Sequence, residues 1–232
     1  MLFFRSMSFA IGLLAAVDSC PGWQNTLHRT PTPLPTTDTV TPSVRAARDN
    51  LYASLVRNLP SMTTESPNLP PRVTAVHRTP LPELPVNRAQ TIVIGQVVGL
   101  TPHAIAQYKG LYTEYHVTTS STLMNTTDWQ GSTLDFLEIG GVAQDPGGRV
   151  LEHHATGFGN QIEVGKEYLM FLKYRPEAQC FTIVKLWELS QGKAVATSSD
   201  DIARTGNNLS TVNGMPVSAV VNQVQSLIAA KQ

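Results

Sequence analysis

Apolar positions recur along this chain in two periods, and the change of period outlines its organisation. From Thr91 to Leu100 (TIVIGQVVGL) β-branched and apolar residues occupy both parities, the pattern of a strand buried on both faces. Gly110 to Met124 (GLYTEYHVTTSSTLM) is long and rich in Tyr, Thr and Val, which predicts a curved strand crossing a small barrel. Leu134 to Gly141, Arg149 to Thr156, Gly165 to Tyr174, Cys180 to Leu189 and the short KAVAT run continue the series, separated by turns such as Asp145-Pro146-Gly147-Gly148. In GKEYLMFLKY, Tyr168, Met170, Leu172 and Tyr174 share one side and Leu169 and Phe171 the other, so this strand is expected to be central.

Helical spacing occurs twice. Val44, Ala47, Leu51, Leu55 and Leu59 recur at three and four between Pro42 and Pro60, predicting a short helix at about 43–59 with Ser43 as cap. Near the C-terminus, Val217, Val220, Val221, Val224, Leu227 and Ile228 form an amphipathic stripe with Pro216 near its first turn, a helix suited to sealing the domain.

Composition sharpens the division. Twelve of the 16 Pro lie at or before Arg88, and fourteen of the 16 Gly lie after it. Proline without glycine favours extended chain, whereas glycine between apolar runs marks the turns of a folded β domain. The expected organisation is a signal segment at 1–20, a Pro/Thr-rich and largely extended tether at 21–88 containing the one short helix, a β-barrel-like domain at 89–197, and a polar connection with the C-terminal helix at 198–232. The tether carries an echo, His28-Arg29-Thr30-Pro31 and His77-Arg78-Thr79-Pro80, of a kind that compositional bias produces by itself.

At the N-terminus, Arg5 precedes an apolar run from Met7 to Val17. That run is too short for a bilayer, which needs about 20 residues, and has the length of a signal-peptide core, so the chain is expected to be exported to the periplasm, cell envelope or exterior. Val17-Asp18-Ser19-Cys20 resembles the lipobox of bacterial lipoproteins, with Asp18 an unusual residue at its position. Two readings of Cys20 stand: a lipidated anchor attaching the chain to a membrane, or a thiol left after ordinary cleavage, free or disulfide-bonded to Cys180, the other cysteine of the chain.

Charge excludes one class of partner. Basic and acidic residues number 17 each, and neither half of the chain concentrates positive charge, so nucleic acid is not an expected partner.

The order IVIGQVVGL, LYTEYHV, EIGG and VGKEYLMFL resembles a group of exported bacterial proteins of unassigned function and, more remotely, the netrin/TIMP-type OB-fold module, over about residues 90–190. The resemblance implies a mainly β fold, a small OB-like barrel, closed or partly open. The chain lacks the several disulfides of netrin-type modules, so no functional residue carries over, and a fold by itself assigns no activity.

Candidate chemistry is sparse. His153 and His154 are strand neighbours that point to opposite faces and cannot share one ion, so His116, His153 and His154 are weak metal candidates only as one of the pair joined with His116 or Glu152. Gly-x-Ser-x-Gly is absent, and Cys180 abuts an apolar strand, the setting of a small hydrophobe rather than an activated thiolate. No catalytic residue and no cofactor are expected. Tyr112, Tyr115, Trp129, Tyr168 and Trp187 are the aromatic residues that a ligand groove would use, if OB-like barrels are the guide. The expectation is a non-enzymatic binding or interaction module for an unknown protein or small ligand; the alternative is an exported hydrolase whose site is not recognisable in the sequence.

Overall fold

The computed structural model describes residues 30–57, 81–105, 110–153, 162–197 and 210–231. The signal segment, Cys20, His154 and the polar connection up to residue 209 lie outside the described residues, as does the side chain of His153.

The protein is mainly β. Its elements are β1 (Thr32–Pro33), α1 (Pro42–Arg57), β2 (Thr91–Ile105), β3 (Gly110–Asn125), β4 (Thr133–Ile139), β5 (Gly141–Gln144), β6 (Val150–His153), β7 (Glu167–Arg175), β8 (Cys180–Ser190), β9 (Lys193–Ala196) and α2 (Val217–Ala229), with single 3-10 turns at Val86–Arg88 and Pro176–Ala178. Six strands form a sheet ordered β4-β3-β2-β7-β8-β9, and a further pairing of β4 with β8 closes five of them into a ring of hydrogen bonds. The closing pair is parallel and brings Phe136 opposite Phe181. As the apolar pattern requires, β7 is central, antiparallel to β2 on one side and to β8 on the other.

The long strands coil around the ring, and Gly95 permits it. The β2–β3 register shifts between Ile94 and Gly95. A Cβ on Gly95 would stand 2.7 Å from the Thr118 carbonyl oxygen and 2.8 Å from Val117 Cγ1, so only glycine allows so close an approach.

Three apolar clusters follow from strand parity. Inside the ring, Val93, Val97, Tyr115, Val117, Phe136, Tyr168, Met170 and Phe181 pack together. On one outer face, Ile92, Leu169, Phe171, Trp187 and Ala194 are covered by Val220 and Val224 of α2 and by Leu84 and Val86. Another outer face carries Tyr112, Leu137, Ala178 and Cys180, covered by Tyr52 of α1.

This last cluster changes the picture of the proline-rich segment. Much of the expected tether is docked: β1 pairs in parallel with β5, α1 lies against the ring of strands, and Leu84 and Val86 are buried. A short helix over Pro42–Arg57 matches the spacing, but the cap is Thr41 rather than Ser43, with the Val44 amide donating to Thr41 Oγ1 at 3.5 Å. The buried face runs through Val44, Arg48 and Tyr52, so an arginine occupies the centre of a stripe that the aliphatic residues alone had defined. Gly110 makes room for it, because a Cβ there would stand 2.7 Å from the Tyr52 ring.

Among the described residues no helix is long and apolar enough to cross a membrane.

Candidate functional site

Three adjacent strands place their outward-facing residues in one polar patch. The antiparallel ladders set Gly99, Thr101 and His103 of β2 opposite His116, Glu114 and Tyr112 of β3, and these opposite Asp135, Leu137 and Ile139 of β4. Alternation along β3 sends Tyr115 and Val117 into the ring of strands and leaves Glu114 and His116 outside.

Glu114 is the hub. Its side chain is 1% exposed, too buried to remain charged without strong partners. Arg48, itself 2% exposed, donates through Nη1 to Glu114 Oε2 at 2.8 Å. The same guanidinium donates to the carbonyl oxygens of Ala178 at 2.9 Å and Gln179 at 3.0 Å, so its donors are used by a fixed set of acceptors. Arg45 pairs with the other carboxylate oxygen, Glu114 Oε1. His103 lies close by, its Nε2 3.4 Å from Glu114 Oε2 without a hydrogen bond, and its ring stacks on Tyr112 at 5.3 Å. Burial by itself raises the Glu114 pKa; the contacts with His103 and Arg45, helped by the Arg48 charge, outweigh it and hold the carboxyl at about 2.

Beside this hub lies an open cleft of about 590 Å³, bounded by the loop after β1, by α1, by the end of β2 and by the β5–β6 turn. Leu34, Asp38, Arg45, Asp49, His103 and Pro146 are among its walls. Arg45 presents both Nε and Nη2 to the Asp38 carboxylate, and Tyr112 Oη donates to Asp49 at 2.9 Å. A cavity of this size is in the range of small-molecule sites, and its charged walls converge from separate elements.

The other end of the patch is a hydrogen-bonded chain. His116 Nδ1 is 2.8 Å from Asp135 Oδ1, and His116 Nε2 is 2.9 Å from Thr101 Oγ1. Arg48 Nη2 reaches the second Asp135 oxygen at 3.5 Å. The hydrogen bond to Asp135 raises the His116 pKa above its usual value, against the opposing effect of burial.

The aromatic residues read as a possible groove are divided among three apolar clusters. Tyr115 and Tyr168 are fully buried within the ring, Tyr112 lies under α1, and Trp187 lies under α2. Trp129 packs at the ring cluster, edge-on to Phe181 at 5.6 Å. The physical reason is parity: Tyr112 and Tyr115 stand three apart on one strand and point to opposite sides. Their polar tips are satisfied internally, Tyr168 Oη accepting from the Glu163 amide at 2.9 Å and Trp187 Nε1 donating to the Glu83 carbonyl oxygen at 2.9 Å.

Cys180 is 1% exposed, and burial pushes its thiol up to about 12, so it is an inert core residue. His116, a weak metal candidate in the sequence, is engaged with Asp135 and Thr101. Among the described residues no group of three or more His, Cys, Asp or Glu is placed to hold a metal ion.

The residues that sequence reasoning missed are Arg45, Arg48, His103, Glu114, Thr101 and Asp135. A signal for the arginines was present: residues 1–88 carry Arg and no Lys. Arginine is the cation suited to buried, multiply bonded positions.

Compared with known proteins, the chain matches no protein-family profile and no curated protein.

Proposed function

We propose that this protein is an exported binding module, attached to the envelope through its N-terminal segment with a lipidated Cys20 as anchor, and that an OB-like barrel carries its ligand site. In support of the barrel reading, the five ring strands follow the order first-second-third-fifth-fourth, with the third (β4) parallel to the fifth (β8), the connectivity of a small Greek-key barrel. The observation that carries the binding role is the 590 Å³ cleft on which polar and charged residues converge from the Pro-rich arm, α1 and β2.

The charged walls favour a particular ligand chemistry. The cleft is lined by two carboxylates, Asp38 and Asp49, and one guanidinium, Arg45, so the lining is acidic overall and suits a small ligand or short peptide segment bearing a cationic group. Amide NMR of the protein titrated with a short lysine-containing peptide and with its glutamate-containing counterpart tests this. Saturable shifts at Asp38, Asp49 and His103 with the basic peptide, lost in Asp49→Ala, are expected; equal or absent responses to both peptides would overturn the assignment. Intact mass of the mature protein checks the anchor, a diacylglyceryl adduct at Cys20 being the expected result.

A further inference from the structure

We propose that Thr101, His116 and Asp135 form a hydroxyl–imidazole–carboxylate triad for acyl transfer, acting on esters with a small acyl group. The three residues come from three neighbouring strands, β2, β3 and β4, and the ladder registers hold them in a row: Gly99 pairs with His116 and His116 with Asp135, with Thr101 two residues along β2. The links are hydrogen-bond distances, 2.9 Å from Thr101 Oγ1 to His116 Nε2 and 2.8 Å from His116 Nδ1 to Asp135 Oδ1.

The chemistry of the partners fixes the tautomer. An ionised carboxylate only accepts, so Nδ1 carries the proton toward Asp135, and Nε2 of the neutral ring is the acceptor that faces the Thr101 hydroxyl. This is the relation a general base needs to its nucleophile, and such a constellation is recognised by geometry and roles rather than by sequence position. Asp135 is itself steadied by Arg48, which the Glu114 pair and two carbonyl oxygens hold rigidly. The support is therefore a sheet and a buried guanidinium, not a loop.

Access is open. The side chains of His116 and Asp135 are 35% and 32% exposed, so a substrate reaches the row from solvent at the rim of α1. A site on an open strand face grips little of its substrate, which favours small acyl groups over long ones.

In the first step Thr101 Oγ1 bonds to the ester carbonyl carbon while its proton passes to His116 Nε2; the bond to the alcohol oxygen then breaks, and the alcohol leaves with that proton. In the second, a water gives a proton to His116 and its oxygen bonds to the acyl carbon. The bond to Thr101 breaks, the hydroxyl recovers its proton, and the carboxylic acid departs. No oxidant, metal or further reactant enters the balance.

The test uses the full mature chain with two probes, p-nitrophenyl acetate and an alkyl fluorophosphonate. Saturable nitrophenolate release is expected, with a pH profile governed by one group near the histidine range, and a phosphonate adduct is expected on the peptide containing Thr101. Thr101→Ala and His116→Ala should each lower the rate at least a hundredfold, whereas Thr101→Ser should retain it. Thr101→Ala is also expected to leave peptide binding in the cleft unchanged, which separates this inference from the binding role. Equal rates in wild type and Thr101→Ala, or an adduct that maps elsewhere, would overturn it.

Discussion

Two helices cover two outer faces of the same ring of strands, and they do so with different chemistry. Under α2 the contact is apolar: Val220 and Val224 meet Trp187, Leu169, Phe171 and Ala194. Under α1 the contact is built around a charge pair, Arg48 on Glu114, with Tyr52 beside it and Arg45 at the edge. Apolar burial is non-directional and tolerates sliding, whereas a buried ion pair fixes one register and is costly if either partner is lost. The α2 face therefore serves to close the domain, and the α1 face holds side chains in set positions. Both the cleft and the Thr101–His116–Asp135 row lie on the second face.

The largest effect expected follows from that contrast. Arg48→Ala leaves Glu114 buried with Arg45 as its remaining ion-pair partner and should cost about 3 kcal/mol in urea unfolding. Replacing both partners with apolar residues of similar volume, Arg48→Met with Glu114→Leu, should restore part of the loss, since the buried carboxylate is gone and Arg45 keeps Asp38 as its partner. A cost for Arg48→Ala below 1 kcal/mol would show that α1 is held by its apolar residues alone and would erase the difference between the faces.

The same contrast predicts an acid-sensitive side. The Glu114 carboxyl is held at about 2, below its ordinary 4.5, so it stabilises the fold above pH 4.5 and this contribution is lost as pH falls toward 2. The interval corresponds to roughly 3 kcal/mol at full development. His116 works in the opposite sense: its raised pKa contributes stability that is complete below 6.5 and fades as pH rises. Near α2 the lowered carboxyl is that of Glu83, which caps Ser210 and Thr211 from a more exposed position. Amide exchange measured at pH 3 and pH 7 should accordingly show α1 losing protection well before α2; simultaneous loss would argue against a charge-held α1.

Which parts of this arrangement could be read from the sequence follows the range of the signals. The strands were legible because alternation and turn residues are local: β7 was central by its two apolar sides, and α2 was a stripe at helical spacing. α1 was legible as a helix, but its contact was not. Val44 and Leu51 mark a face, yet Arg48, which occupies the centre of that face, looks like any solvated arginine until Glu114 is known to be buried opposite it. The parallel β4–β8 closure and the docking of β1 on β5 depend on pairings far apart in the chain, which periodicity does not carry. Thr101, His116 and Asp135 are separated for the same reason; no motif spacing announces residues that only a ladder register aligns. The aromatic residues misled in a complementary way, because composition marks tyrosine and tryptophan without saying which parity turns inward.

A more moderate effect is expected from the apolar face. Val224→Ala removes two methyl groups from the α2 contact and should cost about 1.5 kcal/mol, with the urea midpoint lowered and the slope unchanged. The change should add to that of Arg48→Ala, because Val224 packs in the α2 cluster while Arg48 bonds Glu114, Asp135, Ala178 and Gln179 on the other face.

The smallest effect belongs to the rim of the α1 face and separates fastening from recognition. The Asp38 carboxylate is bound by two nitrogens of Arg45, which holds its pKa well below the usual range, but its side chain is 35% exposed. Pairs so open to solvent contribute about 0–1 kcal/mol, because water and salt screen them and ordering two side chains opposes the gain. Asp38→Asn should therefore shift the urea midpoint barely at all, while removing one of the two carboxylates of the cleft and weakening the basic peptide several-fold. If stability fell as far as in Arg48→Ala, the loop after β1 would be part of the fastening of α1, and the cleft wall would be structure rather than recognition.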